Sequence, residues 1–562
     1  MILLALILTL VLPVRAQSQF ETSYKTVYDI DDSGTTQVDQ EITIVNKTDD
    51  VLATTYAVAV RQMDIFDVSA KDTAGDLEID VKRDSESDKT TITIQLKEKV
   101  IGKDRSNTIN LSYKTNDLAN KVGTIWNVNL PKTANLEDVP NYDIELIIPT
   151  KLGPKIFLSP TPSQTEEKEN AKVYFYTKER LGNESVNGAF GENQVLNFEL
   201  KYHLRNDRFL PAYQIIALPP DIKNQQEMFY DSIEPAPKSI TRDADGNVLA
   251  RYFLYPNRDL EIKLRGSAKT YGKQINPDLG GRMHEIPNKL RDLYTTEQKY
   301  WETGQPQIKD KAMELFDPQK TISQNAFEVY KFITETLEYD YDIVNAKYID
   351  RQGALKALTT QKSWACMEFT DLFIALTRAM GIPARELNGY ALAVGEVLTP
   401  VSVDLNDGDL LHSWAEFYDP NFGWVPVDPT WGTTSGVDYF TKLDTNHLAF
   451  VVKGLDSETP YPAGSYRLDL DDKQINVDFA EGNRSFEPLI EVKTKFPWNL
   501  IKLIQGKRPF QIKSSGGSFM YNIAGRGKTL SPFGKRTIYL DKDVDSFVYK
   551  NFNGTEKVKA LN

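Results

Sequence analysis

The 562-residue chain holds one cysteine, Cys366, only four histidines and, beyond its first sixteen residues, no long apolar run. A single thiol excludes any disulfide within the chain, so its domains must be held by core packing alone. Without a later apolar run, no segment offers the roughly 20 residues that a membrane-spanning helix needs. Positive charge is also in deficit: 66 Lys and Arg face 79 Asp and Glu, a net −13 that disfavours broad nucleic-acid binding. No internal repeat is evident. The shortage of histidine restricts the chemistry further, because a base for the thiol must come from His203, His284, His412 or His447.

What is present begins with MILLALILTLVLPVRAQ, an apolar run too short to span a bilayer, with small residues near Ala16. Residues 1–16 are expected to be a cleaved export signal, although no Lys or Arg precedes the run. An exported protein would be secreted, periplasmic or attached to the cell surface. Charge is uneven: residues 486–562 carry fourteen Lys and Arg against six Asp and Glu. This basic stretch is expected to be a small β module, able to touch an anionic surface.

Residues 17 to about 275 alternate apolar and polar positions with the period of half-buried strands, as in TITIQLK (91–97) and QVLNFELKYHL (194–204). DIDDSGTT (29–36) and RDADGNV (242–248) carry hairpin turn chemistry. The polar stretch SPTPSQTEEKEN (159–170) suggests a break nearby, giving two β-sandwich-like domains, 17–150 and 151–275. Helical patterns follow in LRDLYTTEQKYWE (290–302) and NAFEVYKFITETLEY (325–339), the second opened by Thr321 and Gln324 at capping-box spacing. Strand signals then return, so residues 285–480 are expected to form an α+β domain.

In SWACMEFTDLFIALTRAMGIPAR (363–385), Phe369, Leu372, Phe373, Leu376 and Met380 fall on one helical face. Gly381 and Pro383 end the helix, and Ser363 is expected to cap it, placing Cys366 in the first turn. Unpaired N–H groups and the helix dipole favour a negative charge there, and thiolate is the nucleophilic form. From position alone, a buried structural cysteine, a common fate of free thiols, is the favoured reading.

Among the histidines, His203 shares the polar face of its strand, and His284 falls in a linker. His447 lies in DTNHLAF without an evident orienting acid. His412 shares a strand face with Trp414, Glu416 and Tyr418 in HSWAEFY, and Asp428 lies on the next strand, GWVPVDPT. An antiparallel hairpin centred near residue 420 would set His412 opposite Asp428, where cross-strand Cβ atoms are about 5 Å apart. A carboxylate there could hold the imidazole's tautomer.

The blocks CMEFTDLFIALTRAMGIPAR, NGYA and HSWAEFYDPNFGWVPVDPTWG together resemble the transglutaminase-like superfamily. The resemblance implies a multidomain protein whose α+β, papain-like core follows the all-β domains and precedes the small β module. It implies Cys366 as nucleophile, His412 as base and acid, and Asp428 as orienting carboxylate. Two positions depart from the usual bacterial pattern: Ala365 stands where Gly is common before the cysteine, and Glu368 where Asp is common after it. Family members often add an upstream aromatic oxyanion donor, for which Tyr339, Tyr341 and Trp364 are candidates, with Trp414 a further cleft residue. No cofactor and no metal is implied, and DLNDGDL (404–410) is expected to be a solvated loop, not a calcium site. The expected partner is a protein or peptide substrate, of the cell envelope or elsewhere, with no nucleic acid. Acyl transfer to water is favoured over cross-linking; the alternative is a non-catalytic scaffold on the same fold.

Overall fold

A computed structural model describes residues 19–561, apart from 62, 86–87, 132–138, 183–184, 341–349, 361–362, 393–410, 436, 467–472, 481, 483 and 496–504. The expected export signal and the 404–410 loop therefore lie outside the described residues. No helix among the described residues is long and apolar enough to cross a membrane. The described chain divides into two compact units, residues up to 121 with 126–190, and residues 122–125 with those from 191 onward.

The first unit is built of strands, with a short α-helix, Lys178–Leu181. Its largest sheet has eight strands, in which Phe20–Ile30 lies between Thr36–Asn46 and Tyr142–Pro149. The expected boundary at residue 150 is corrected here. Tyr142–Pro149 pairs with Ala171–Tyr176 in the same sheet, so the chain on both sides of 150 belongs to one layer. Ile144, Leu146 and Tyr174 share one core with Tyr28, Ile42 and Ile109. The polar run after 159 is no linker: Gln164–Glu167 within it forms the exposed edge strand of that sheet, which is why it looks polar.

The second unit begins with two sheets. Gln226–Glu234, Arg258–Thr270, Gln194–Asn206 and Ile475–Phe479 form one, and Ala212–Leu218, Val248–Leu254 and Ser239–Arg242 the other. Ile475–Phe479 pairs with Gln194–Asn206, so the expected α+β domain returns its last strand to the preceding β region. The C-terminal stretch is indeed stranded, and an isolated bridge joins Gly517 to Tyr230. Residues 191–562 cluster as one compact unit, within which Phe510, Ile512, Ile538 and Phe547 of the C-terminal stretch keep a core of their own.

The α+β core within this unit comprises α1 (Pro306–Leu315), α2 (Ile322–Thr336), α3 (Ala354–Thr360), α4 (Cys366–Ala379) and α5 (Pro429–Ser435). Four antiparallel strands, β1 (Ala384–Ala391), β2 (His412–Asp419), β3 (Gly423–Val427) and β4 (His447–Lys453), lie in the order β3-β2-β1-β4. Thr321 caps α2 through the expected box, its hydroxyl accepting from Gln324 N–H at 3.0 Å while Gln324 accepts from Thr321 N–H at 2.9 Å. The helix expected over 290–302 stops at Tyr294. Phe369, Leu372, Phe373 and Leu376 of α4 pack with Val329 and Ile333 of α2 and Phe417 of β2.

Helix α4 is buried on every side, not on one face as its periodicity suggests. Its charged residues Asp371 and Arg378 are satisfied inside. Asp371 accepts from the indole N–H of Trp301 at 2.8 Å and pairs with Arg351, which also donates to Glu386 at 2.8 Å. Arg378 donates to the backbone oxygens of Ala384, Thr296 and Gly454 and stacks over Trp301, 4.4 Å from its centroid. Buried charges persist only when paired or fully hydrogen-bonded, and these are.

Candidate active site

Cys366 is the first residue of α4 and is half-buried. The expected cap is corrected: Ala365, not Ser363, is the N-cap, and it makes no side-chain cap bond. Ser363 instead pairs with Glu338 in a short parallel ladder, together with Trp364 and Tyr339. The N–H groups of Cys366 and Met367 cannot be bonded by the helix itself. Glu368 is buried and accepts from Gln352 N–H at 2.9 Å; burial pushes its pKa up. That departure from the family pattern thus ties the chain ahead of α3 to the start of α4.

His412 opens β2 across from Gly389 of β1. Its Nε2 lies 2.7 Å from Asp428 Oδ2, which leaves Nδ1 unused by Asp428, and Cys366 is near enough to act electrostatically on the ring. Burial alone would lower the imidazole's pKa. The charge and hydrogen bond of Asp428, then Cys366, outweigh it and raise the value to about 9. The hairpin register differs from expectation, because Tyr418 pairs with Trp424 and Ala415 with Val427, centring the turn at 421. Asp428 therefore sits one residue past the end of β3, where it caps α5: its Oδ1 accepts from Trp431 N–H at 3.0 Å. Burial raises a carboxyl pKa, but His412 and His447 hold that of Asp428 well below the usual range.

His447, set aside on sequence grounds, belongs to the same cluster. Its Nε2 lies 3.2 Å from Asp428 Oδ2 and its Nδ1 2.8 Å from Asp444 Oδ1. Asp444, three residues upstream in DTNHLAF, was the available signal; a residue in a turn ahead of a strand can fold back on that strand's first side chain. Burial lowers the His447 pKa, but Asp444 and Asp428 outweigh it and raise it to about 9. The ring packs 4.5 Å from Trp431 and 5.0 Å from Trp414. Ligand atoms of His412, Asp428 and His447 lie within 4.8 Å of one another, a donor set that suits a divalent transition ion. Asp428 Oδ2 is already shared by the two imidazoles, so an ion would have to displace both hydrogen bonds.

This geometry lies in a stretch with known kin. Residues 309–429 match the Transglutaminase-like superfamily. That stretch is a transglutaminase-like domain. The domain contains Cys366, His412 and Asp428, whereas Asp444 and His447 lie past the end of the match. An uncharacterized protein of Mycobacterium tuberculosis is 26% identical over 216 residues, covering 35% of this chain and 66% of that protein, just under two thirds. The crystal structure of a candidate cysteine protease from Cytophaga hutchinsonii is 16% identical over 52% of this chain and 99% of its own, with a TM-score of 0.34. The periplasmic domain of TgpA from Pseudomonas aeruginosa is 16% identical over 43% of this chain and 88% of its own, with a TM-score of 0.23.

The aromatic candidates of the transglutaminase-like domain separate. Trp364, two residues before the cysteine, is buried, and its indole N–H has no partner among the described residues. Tyr339 is half-buried and packs 6.3 Å from Phe369. Tyr341 lies outside the described residues. Trp414 stacks on His412 at 5.8 Å, and its own buried N–H likewise lacks a partner among the described residues. His203 is set 3.9 Å from Glu261 in a different sheet, and His284 lies in the turn Met283–Glu285.

Proposed function

We propose that the protein is a cysteine-dependent acyl-transfer enzyme acting on peptide or protein carboxamides. The observation that carries this reading is a His412 ring held through Nε2 by Asp428, with Cys366 at a helix start near enough to act on the ring. The Cys366 S–H proton passes to His412 Nδ1, giving a thiolate beside an imidazolium that Asp428 stabilises. The thiolate attacks the substrate carbonyl, and the carbon–sulfur bond forms as the oxygen takes the negative charge. First-turn N–H groups and the Trp364 indole N–H are the donors suited to that oxygen. The tetrahedral intermediate collapses as His412 gives its proton to the departing amine, leaving a thioester on Cys366. Water, deprotonated by His412, cleaves the thioester to a carboxylic acid and restores the thiol. A lysine amine in place of water would give a cross-link; hydrolysis is the reading favoured here.

The substrate is taken to be a protein or peptide met after export, with residues 1–16 as the export signal and the basic residues 486–562 as a contact for an anionic envelope polymer. The test compares wild type, Cys366→Ala and His412→Ala by alkylation with iodoacetamide near neutral pH and by incubation with casein and a fluorescent amine. Fast alkylation lost in His412→Ala, with peptide cleavage absent from Cys366→Ala, is expected. Amine incorporation without cleavage would make the enzyme a cross-linker. A thiol no faster than free cysteine, indifferent to His412→Ala, would leave a non-catalytic scaffold.

A further inference from the structure

Asp428 is held by more donors than a simple Cys–His–Asp arrangement requires. Its Oδ1 accepts from Trp431 N–H at 3.0 Å, and its Oδ2 receives His412 Nε2 at 2.7 Å and His447 Nε2 at 3.2 Å. His447 is itself gripped from behind, with Nδ1 2.8 Å from Asp444 Oδ1, and the Tyr439 hydroxyl donates to Asp444 Oδ2 at 3.3 Å. An ionised carboxylate only accepts hydrogen bonds. A ring with a carboxylate on each nitrogen is satisfied when both nitrogens carry protons, so His447 is an imidazolium in this arrangement.

The charged and titratable groups facing it are Asp444, Asp428, the His412 ring at 5.7 Å and the Tyr439 ring at 6.3 Å. A buried histidine serving packing alone would be satisfied by Asp444. The second bond goes to the very oxygen that holds His412, and that couples the two rings. The strands allow it: β1 lies between β2 and β4, with Gly389 opposite both His412 and Ala449, and a Cβ at 389 would come within 2.1 Å of Leu448 O. Glycine there lets β4 approach closely enough for His447 to reach the oxygen already used by β2.

We propose that His447, clamped by Asp444, is a positioning residue that fixes Asp428 and so holds His412 in the tautomer offering Nδ1 to Cys366. This rests on the acyl-transfer reading above. With one oxygen tied to the α5 backbone and the other to two rings, the carboxylate cannot rotate. His412 then keeps its Nε2 proton on Asp428, and only Nδ1 exchanges a proton with the sulfur. Asp444 and His447 both lie past residue 429, so this support is built from chain outside the family match.

The test follows iodoacetamide alkylation of Cys366 from pH 5 to 10 in the full chain for wild type, His447→Phe, His447→Gln, Asp444→Asn and His412→Ala. In His447→Phe the pH midpoint for thiolate formation should rise by about one unit, a tenfold weaker preference for the ion pair. Asp444→Asn should shift it the same way by less. His447→Gln, whose amide can still donate to Asp428, should stay near the wild-type midpoint. A folded His447→Phe with the wild-type profile overturns the proposal, as does a folded His447→Gln that behaves like His447→Phe. Should His447→Phe fail to fold, ¹⁵N-histidine spectra of the wild type decide, since the chain has only four rings. The His447 ring should carry two N–H protons at pH 7, and a neutral ring overturns the assignment. Slow wild-type alkylation unaffected by His412→Ala would defeat the acyl-transfer reading itself. The ring spectra would then still report on the clamp.

Discussion

Continued past its last pair, Ala415 with Val427, the strand register would set residue 430, not Asp428, across from His412, yet the Asp428 carboxylate lies 2.7 Å from the His412 ring. A displacement of two residues is absorbed because the chain leaves the sheet at Val427 and turns into a helix. Its N-cap side chain swings back beneath β2. One residue thus serves as both the helix cap and the partner of the imidazole.

Asp428→Asn should therefore do more than remove a charge. An amide can donate where the carboxylate only accepts, which permits the flipped His412 tautomer with its proton aimed at the sulfur. Turnover should fall by about 10²–10⁴-fold, the range supplied by a positioned general base. Stopped-flow alkylation and peptide-cleavage rates would check this; a loss below threefold would contradict it.

Trp364 carries a buried N–H without a partner among the described residues, which costs stability unless something uses it. Trp364→Phe should lower kcat by about 10²–10³-fold with little change in KM, as loss of an oxyanion donor does. The variant should melt no lower than wild type. Equal kcat in the two proteins would remove Trp364 from the mechanism.

Arg351 joins Asp371 of α4 to Glu386 of β1, and both carboxylates are fully buried. Arg351→Met should destabilise by about 3–5 kcal/mol, because it leaves uncompensated buried charge. Urea unfolding measures this, and a change under 1 kcal/mol would show that water or Lys453 replaces the guanidinium.

The pH dependence of stability has a definite sign. His412 and His447 have folded pKa values of about 9, above the ordinary imidazole value of about 6.5. Protonation of both rings therefore stabilises the fold fully below about pH 6.5, and this contribution is lost as pH rises through about 9. Asp428 is shifted the other way, so its contribution is present above the ordinary carboxyl range and is lost only in strong acid. Tm should fall between pH 7 and 9.5, and the fall should shrink in His447→Phe. A flat Tm across that window in the wild type would refute the assignment.

The local signals were legible wherever one short segment set its own structure. The Thr321–Gln324 box, the helix ending at Gly381 and the hairpin turn after Asp419 each depend on neighbours within a few residues. The division at 150 was not legible, since a polar edge strand and a polar linker have the same composition. Nor was the all-round burial of α4, whose polar face looks solvated until Arg351 and Trp301 arrive from distant segments.

The sequence by itself determined which groups are available: one thiol, few imidazoles, and carboxylates and aromatics in the order that marks a transglutaminase-like domain. Only the tertiary structure decided that His447 shares the oxygen of Asp428 with His412, and that Trp364 buries an N–H with no partner among the described residues. The reason is physical. Residue type and periodicity fix local conformation, whereas contacts across β1, β2 and β4 depend on register and on a bulge at Gly389, and no single segment encodes them.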